Sequence, residues 1–517
     1  MKIAYYVSGH GYGHATRVSA LSTELLQHGH SITIVTNAPP LPFASILPPS
    51  SIPDSVSAPA DAAPTLERYA EYRNRNVDAG IVQPKAYDVD RQKTLRVLEA
   101  FLDQRQQTLD EEITWLREQR IDAVLSDATF LGCAAAAGAG IPGIIVSNFT
   151  FDSCYSYLSH PALESFDSSG HPAEPPLSRD VLDPLVNQSI ADYACATLLL
   201  RLPGVIPLPA FDTDVPMPSG RWVTEDRTSF TPEVEAILSR PPSAIPTVAS
   251  GSKRVVDVPL IVRPPSRLAN TPEFRRDLLA SMGVPPDLIE SKVVLVSFGG
   301  QAIPRPRTRP PSPLASPLMQ RSASSRSSTG GSGSHSLEPP AAAHEDAAVG
   351  LLPPGWIAIV TGLSGGNNAI REDLPYGFFA SDQDVYVPDL TWVADCVVGK
   401  LGYGTCSETL SCKTPFVYVP RPLFVEEFGL KRLMATRGVA LELARTDFEA
   451  GRWQLHIDEA YERGRDAKDL ARARGFEDDG AAGVIRGEIE RFMRQHAASR
   501  PTTTHQDREA KWGCVGM

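Results

Sequence analysis

The sequence lacks the features that would hold a protein together covalently or anchor it in a membrane. Its seven cysteines are scattered, odd in number and without a Cys-x-x-Cys pair, which favours reduced thiols over a disulfide framework or a zinc site. The longest apolar stretch, at 131–146, is interrupted by glycines and Pro142 and is shorter than the roughly 20 residues of a membrane span. The first apolar run reaches glycine too early for a secretory signal. We therefore expect a cytoplasmic protein without stable membrane insertion.

The sequence also has fewer positively than negatively charged residues. The 517 residues carry 49 Lys and Arg against 61 Asp and Glu, which gives a net charge of -12. A general nucleic-acid binder relies on clustered cations to neutralise phosphates, so this composition argues against nucleic acid as a partner. A phosphate-bearing ligand would need a local site.

The chain ends in CVGM, with Cys514 four residues from the terminus as in a prenylation box. The third position of this box is Gly rather than an aliphatic residue, and no polybasic run precedes it. These departures favour a chance terminal cysteine, and prenylation at Cys514 is the alternative.

Short apolar runs alternate with helical patterns along most of the chain. KIAYYV, SITIVTN, DAVLSD and PGIIVSN predict strands in the first part, and KVVLVS, GWIAIV, DCVVG and FVYV predict strands in the second. Strands separated by helices form parallel sheets that are covered on both faces. The sequence therefore predicts an α/β protein with two doubly wound Rossmann-like domains. Ligands are expected in the cleft where the carboxyl ends of both sheets face each other.

Composition shifts divide the chain further. We place an N-terminal domain at 1–205, a linker with an insertion at 206–265, a C-terminal domain at 266–495 and a disordered tail at 496–517. Residues 303–348 interrupt the C-terminal domain and are rich in Pro, Ser, Ala and Arg. They have too little apolar surface to offset their ordering entropy, so we predict disorder there. Whether this insertion is a lid on the cleft or only inserted disorder is left open.

The motif GHGYGH follows the first predicted strand and precedes a helix. Gly11 and Gly13 let the backbone approach a ligand, and the first amides of a helix favour negative charge. The motif is not G-x-G-x-x-G, and no acidic residue ends the second strand, so an NAD-type oxidoreductase is disfavoured. A glycine turn required only for tight strand-to-helix packing is the alternative, but it does not explain two histidines.

The two histidines of this motif are candidates for a general base. Histidine is a common general base because an unperturbed imidazole titrates near neutral pH, and His10 or His14 at the cleft could take this role. Asp127 ends another strand of the same sheet and is placed to orient an imidazolium. The alternatives are a histidine that only packs or caps the loop, and an Asp127 that caps the following helix.

The second glycine-rich motif, GKLGYGTCSE, follows the strand DCVVG. Gly402, Tyr403, Gly404 and Thr405 present amides and a hydroxyl where a helix begins, which is a phosphate-binding arrangement. Glu408, one turn later, is able to accept hydrogen bonds from both hydroxyls of a ribose. A surface glutamate is the alternative.

Two further stretches are expected at the same cleft. Glu426 and Glu427 follow the strand FVYVPRP, where a carboxylate pair is able to hold sugar hydroxyls. A solvated helix start, which favours acidic residues in any case, is the alternative for this pair. Gly299, Gly300 and Gln301 form another glycine turn directly after a strand.

Together these motifs resemble the GT-B glycosyltransferases and, more closely, the N-terminal glycosyltransferase-like half of the L-arabinokinases. The segments YYVSGHGYGHATRV, LLRLPGVIPLPAF, VSFGGQ, DCVVGKLGYGTCSETLSCKTPFVYV and FVEEFGLKRLM occur in the expected order. The resemblance covers most of the chain. It implies an N-terminal acceptor domain and a C-terminal nucleotide-sugar domain that close over a cleft.

The resemblance also implies roles for single residues. The glycine loop at 402–405 would grip the donor diphosphate, and Glu408 would bind the ribose. Such enzymes often carry Asp-Gln or Glu-Gln where this chain has Glu426 and Glu427, so the donor sugar stays open. His14, or His10, with Asp127 matches the catalytic dyad of the inverting plant-type enzymes.

We therefore expect inverting, metal-independent transfer of a hexosyl or pentosyl group to an unknown acceptor. The donor would be a nucleotide diphosphate sugar, with UDP as the expected nucleotide, and no separate cofactor is implied. The protein itself would stabilise the departing diphosphate. Because the kinase half of an L-arabinokinase is missing here, we do not expect arabinose phosphorylation. The alternative is a non-catalytic nucleotide-sugar binding or regulatory module.

Overall fold

The computed structural model describes residues 1–10, 12–51, 67–161, 174–244, 253–298, 350–362, 374–381 and 385–499. Several predicted features lie outside these ranges: Gly11, Gly299, Gly300, Gln301, the segment 303–348 and Cys514. None of the helices within the ranges is long and apolar enough to cross a membrane.

The first sheet has seven parallel strands in the order β3-β2-β1-β4-β5-β6-β7. These are β1 (Lys2–Val7), β2 (Ser31–Thr36), β3 (Glu71–Asn74), β4 (Ala123–Asp127), β5 (Gly143–Ser147), β6 (Leu198–Arg201) and β7 (Arg254–Asp257). The helices of this part are α1 (Tyr12–Gln27), α2 (Arg91–Asp103), α3 (Arg105–Glu118), α4 (Phe130–Ala139), α5 (Phe151–Tyr157), α6 (Arg179–Tyr193) and α7 (Pro232–Leu238). Central strands such as β4 are buried along their whole length, which explains their continuous apolar runs.

The second sheet has six parallel strands in the order β10-β9-β8-β11-β12-β13. These are β8 (Lys292–Ser297), β9 (Trp356–Val360), β10 (Phe378–Ala380), β11 (Cys396–Lys400), β12 (Phe416–Val419) and β13 (Ala440–Glu442). The remaining helices are α8 (Pro272–Ser281), α9 (Val387–Val393), α10 (Tyr403–Ser411), α11 (Glu426–Arg437), α12 (Arg445–Glu449), α13 (Gln454–Arg474) and α14 (Ala481–Ser499). Two parallel sheets flanked by helices confirm the predicted pair of doubly wound domains, the GT-B architecture.

The structure moves two of the predicted boundaries. The predicted linker at 206–265 contains β7, which pairs with β6 as the edge strand of the first sheet. The predicted disordered tail begins inside a helix, because α14 continues to Ser499. This helix packs on α1 of the N-terminal domain, where Nε of Arg486 lies 3.0 Å from Oε1 of Glu24. Just after α1, Nε2 of His30 lies 3.0 Å from Oε1 of Glu490. The end of the chain described here therefore returns to the first domain.

The two domains approach each other closely at Gly429 of α11. A Cβ atom on this residue would overlap the carbonyl oxygen of Gly204 and would lie 2.9 Å from that of Val205. We expect Gly429→Ala to lower the free energy of unfolding by about 1–3 kcal/mol, because rigid backbone cannot yield to the added methyl group. Urea unfolding measures the change.

The matched control for this prediction is Gly487→Ala in α14. In the described part of the chain, a Cβ atom at this position would have no heavy atom within 4 Å beyond the backbone of its own helix and its sequence neighbours. Alanine is therefore expected to be neutral or to stabilise the helix by up to about 1 kcal/mol. Equal losses for both variants would contradict a tight contact at Gly429.

Candidate functional site

The two glycine-rich helix starts predicted from the sequence meet in the structure. A Cβ atom on Gly13 of α1 would lie 3.8 Å from the amide nitrogen of Gly404 in α10. A Cβ atom on Gly404 would lie 3.5 Å from the Cα atom of Gly13. The two helix starts, one from each domain, therefore lie next to each other at these glycines.

His14 and Asp127 form a hydrogen-bonded pair on the N-terminal side of this contact. The Nδ1 atom of His14 lies 3.1 Å from Oδ1 of Asp127, and the carboxylate is fully buried. The register of β1 against β4 places Asp127 opposite Val7, beside the start of the glycine loop. Asp127 does not cap the following helix, whose N-cap residue is Thr129. The N-cap alternative for Asp127 is therefore excluded.

Arg17 shares the carboxylate of Asp127 with His14. Its Nε donates to Oδ2 over 2.8 Å, its Nη2 bonds Oδ1, and Nη2 also lies 3.3 Å from Nδ1 of His14. Burial by itself would raise the pKa of Asp127, but Arg17 and then His14 outweigh it, so this pKa is lowered. Because an ionised carboxylate only accepts hydrogen bonds, we assign the proton of neutral His14 to Nδ1. The Nε2 atom is then the basic atom of the ring.

Arg17 also begins a chain of contacts that crosses between the domains. Its Nη1 donates to Oδ1 of Asn148 over 2.8 Å, and Nδ2 of Asn148 donates to Oε1 of Glu426 over 3.0 Å. The guanidinium lies 4.8 Å from the ring centroid of Tyr403. Sequence reasoning missed both Arg17 and Asn148. The spacing of Arg17, three residues after His14 on the same helix face, is the signal that points to it.

His10 belongs to a second histidine and carboxylate pair. Its Nε2 atom lies 3.8 Å from Oδ1 of Asp78, a buried residue that sequence reasoning also missed. The ring packs on Gly80, where φ is +59° and a Cβ atom would overlap the imidazole. The side chain of His10 is 33% exposed, whereas that of His14 is 10% exposed. The structure therefore keeps both histidines as candidate bases, with different carboxylates.

The predicted phosphate loop lies at the start of α10. Gly402 is the N-cap residue and, like Thr405, is partly exposed. Lys400 ends β11, and its Cε atom would be 4.0 Å from a Cβ atom on Gly402. Burial, and then the neighbouring Arg421, lower the pKa of Lys400 to about 7. This lysine is a further residue that sequence reasoning missed, although it stands two residues before Gly402 in the motif.

The side chain of Tyr403 makes contacts between the domains. Its hydroxyl accepts a hydrogen bond from the amide of Ile261 over 3.2 Å, and its ring lies under Arg17. The residue is buried. Any contact of Tyr403 with a phosphate therefore involves its backbone amide rather than its side chain.

Glu408 is a buried residue, which excludes the surface alternative. Its Oε1 accepts a hydrogen bond from Nη2 of Arg263 over 3.0 Å. The guanidinium of Arg263 lies in turn 5.3 Å from the ring centroid of Tyr386. Burial raises the pKa of Glu408, and Arg263 partly offsets this. Ribose binding by Glu408 stays a prediction.

Glu426 and Glu427 are buried as well, so the alternative of a solvated helix start is excluded. Arg421 holds both carboxylates: its backbone amide donates to Oε2 of Glu427 over 2.9 Å, and its Nη2 lies 3.5 Å from Oε2 of Glu426. Burial raises the pKa of Glu427, and Arg421 and then Lys431 partly offset this. The pair lies at the cleft, but its proposed contact with a donor sugar is untested.

Three Asp-x-Asp triplets, at 88–90, 212–214 and 382–384, supply the oxygen ligands that divalent cations prefer. In the first two, the carboxylates bond protein groups: Asp88 with Arg445, Asp90 with the Lys93 amide, Asp212 with the Leu208 amide and Asp214 with Arg240. The third lies outside the described ranges. Within those ranges no group of three or more His, Cys, Asp or Glu side chains is placed to hold a metal ion. Metal independence stays a prediction.

The comparison with known proteins agrees with the resemblance seen in the motifs. L-arabinokinase from Arabidopsis thaliana is 29% identical to this chain over 458 residues, which are 88% of the chain and 32% of that protein. The chain is similar in sequence to an L-arabinokinase. It spans about a third of the length of this curated relative. No family model matches the chain.

Solved glycosyltransferase structures are also similar to this chain. The calicheamicin glycosyltransferase CalG4 is 15% identical, with 96% of this chain and 99% of that chain covered and a TM-score of 0.47. Phytolacca americana UGT2, complexed with UDP-2fluoro-glucose and pterostilbene, is 11% identical, with 95% and 99% covered and a TM-score of 0.47. These likenesses concern the arrangement of the chain and not the ligands of those proteins.

Proposed function

We propose that this chain transfers a glycosyl group from a nucleoside diphosphate sugar, with UDP as the nucleotide, to a hydroxyl group of an acceptor. The observation that carries the proposal is the meeting of Gly13 with Gly404. It brings a histidine and carboxylate pair from one domain next to a helix start and a buried lysine from the other. The relationship to the L-arabinokinases supports the proposal but names no acceptor.

The donor half of the reaction is assigned to the start of α10. The free amides of its first turn and the positive end of the helix dipole attract a diphosphate. Lys400, at the carboxyl end of β11, adds a cation beside Gly402. As the bond between the anomeric carbon and the diphosphate oxygen breaks, these groups stabilise the charge that develops on the leaving group. The protein thereby supplies the stabilisation for which a metal ion would otherwise serve.

The acceptor half is assigned to His14. Its Nε2 atom takes the proton of the acceptor hydroxyl while that oxygen attacks the anomeric carbon. The new bond forms on the face opposite the departing diphosphate, so the configuration of the sugar inverts. Asp127, 3.1 Å from Nδ1, orients the ring and stabilises the imidazolium. His10 with Asp78 is the second candidate for the same role.

Calorimetry with UDP tests the donor half. We expect Lys400→Met to weaken UDP binding by about 10- to 100-fold, because a hydrogen bond to a charged phosphate contributes roughly 1.5–3 kcal/mol. Binding of uridine, which has no phosphate, should be unchanged. The control is Lys413→Met, which removes an exposed lysine at the other end of α10. Absence of saturable UDP binding, or equal affinities for all three proteins, would reject the donor half.

The same titration has an expected pH dependence. The pKa of Lys400 is lowered to about 7, so its ammonium is present below this pH and is lost as the pH rises through it. The affinity ratio between the parent protein and Lys400→Met should therefore be larger at pH 6 than at pH 8. A ratio that rises with pH would contradict the contact.

One observation favours a second candidate function, a non-catalytic nucleotide-sugar binding module. Arg17 pairs with both oxygens of Asp127 and so neutralises the charge that would support an imidazolium. In this case UDP would bind and no sugar would be transferred. The activity measurements in the Discussion separate the two functions.

A further inference from the structure

Arg91, the first residue of α2, is a fully buried arginine with few partners. Its Nη1 donates to the carbonyl oxygen of Leu158 over 3.2 Å. Its Nε and Nη2 atoms are buried and have no hydrogen-bond partner in the described part of the chain. Because a guanidinium is charged at all physiological pH values and carries five N–H donors, most of its bonding capacity is unused.

Three other side chains share this property. Two of them, Tyr157 and His160, stand on either side of Leu158, whose carbonyl oxygen Arg91 bonds, and the third, Arg227, acts electrostatically on Arg91 and His160. Each has a buried polar atom without a hydrogen-bond partner among the described residues: Nη1 of Arg227, Nε2 of His160 and the hydroxyl of Tyr157. The rings of Tyr157 and His160 lie 5.0 Å apart between centroids. We call these four residues the arginine cluster.

Charge in the arginine cluster is predominantly positive. Burial, and then Arg227 and Arg91, lower the pKa of His160 to about 4, so both guanidiniums act on this ring. The pKa of Arg91 is lowered by burial. The carboxylate of Glu174 partly offsets this decrease, and the positive charge of Arg227 lowers the pKa further. The carboxylate of Glu174 accepts the backbone amide of Arg91 over 2.9 Å rather than its guanidinium. The side-chain donors of the cluster are therefore left for another anion.

Unpaired buried cations are costly, and an oxyanion is the partner that two guanidiniums match best, since each is able to bond two of its oxygens. We infer that the arginine cluster binds an oxyanionic group, a carboxylate or a phosphate, of the acceptor. The anion site itself stands on the cluster alone. That its ligand is the acceptor rests on the proposed function.

The position of the arginine cluster fits an acceptor that also reaches the candidate base. Helix α5 begins at Phe151, whose ring centroid is 6.1 Å from that of His14, and ends at Tyr157, whose centroid is 6.4 Å from that of Phe428 in α11. Six residues of helix span about 9 Å. The arginine cluster and the ring that packs on His14 thus lie at opposite ends of α5, and the acceptor would carry its reactive hydroxyl and its anionic group at opposite ends.

Calorimetry on the full chain, with inorganic phosphate and separately with glucuronate, tests the anion site. We expect saturable binding of at least one of these anions, weakened about 10- to 100-fold in Arg227→Gln and in Arg91→Met. The control Arg221→Gln removes an exposed arginine in the neighbouring segment and should bind as the parent does. Binding of phosphate alone or of glucuronate alone supports the site and identifies its anion. No binding of either anion, or undiminished binding in both variants, overturns it.

Two further readouts keep this test independent of folding and of the donor site. Without added anion, Arg91→Met should melt no lower than the parent, because it removes an unpaired buried charge. The anion that binds should raise the melting temperature of the parent and of Arg221→Gln, and should raise that of Arg91→Met and Arg227→Gln less. UDP is titrated into the same samples. UDP binding without anion binding overturns this inference alone, and anion binding without UDP binding overturns the donor half of the proposed function alone.

Discussion

His14→Ala is expected to reduce the rate of sugar transfer by about 10²- to 10⁴-fold, the usual contribution of a positioned general base. The affinity for UDP should be unchanged, because the diphosphate is assigned to Lys400 and the start of α10 in the other domain. Release of UDP from UDP-sugars, with and without acceptors that carry an anionic group, measures the rate. Calorimetry with UDP measures the affinity on the same preparations.

His10→Ala is the matched variant for this prediction. His10 lies in the loop before α1 and His14 in the first turn of α1. Each faces a carboxylate, but His14 is within hydrogen-bonding distance of Asp127 while His10 is 3.8 Å from Asp78. A loss confined to His10→Ala would move the base to that pair. UDP binding with no transfer by the parent protein would instead establish the non-catalytic function.

Arg17→Met is expected to lower the free energy of unfolding by about 3–5 kcal/mol, the usual cost of removing one partner of a buried ion pair. The reason is that the fully buried Asp127 would keep only His14 as a partner. Urea unfolding measures the loss. The double variant Arg17→Met/Asp127→Asn should lose less free energy of unfolding than the two single variants lose in sum. The reason is that neither buried charge is then left without its partner.

The ion pair also has an expected signature in the pH dependence of stability. The pKa of Asp127 is lowered from its usual 3.8 in the folded protein. Its stabilising contribution is therefore complete above this value and is lost as the pH falls through the folded pKa. Asp127→Asn should thus lose less stability than the parent on acidification. Two outcomes would show that the ion pair of Arg17 with Asp127 is not stabilising. One is a parallel loss of stability with pH in the parent and in Asp127→Asn, and the other is an Arg17→Met variant that is as stable as the parent.

Most of the fold was predictable because its signals are local. Buried parallel strands are continuous apolar runs, and β1, β4 and β11 appear as such in the printed sequence. A helix start near each of GHGYGH and GKLGYG was predictable, because clustered glycines are typical of a turn between a strand and a helix. In the structure both helices begin inside these motifs, at Tyr12 and Tyr403. The linker boundary was wrong because β7 has only four residues, too few to show a period.

The partners of the site residues were not predictable in the same way. Arg17 is 110 residues from Asp127, and Asn148 is 278 residues from Glu426. No local pattern links residues that far apart, and a buried arginine has the same letter as an exposed one. The arginine cluster likewise draws on α2, α5 and the segment before α7.

By itself, the sequence determined two parallel α/β domains, two glycine-rich helix starts and the histidines and acidic residues near them, because hydrophobic period and glycine turns act over a few residues. Only the tertiary structure decided which charges meet. It paired Asp127 with Arg17 as well as with His14, and it buried Glu408, Glu426 and Glu427 against arginines. Among the described residues it left no carboxylate on the guanidinium of Arg91. The physical reason is that burial and charge pairing depend on packing between elements that are distant in the sequence. The contact of α14 with the first domain is decided in the same way.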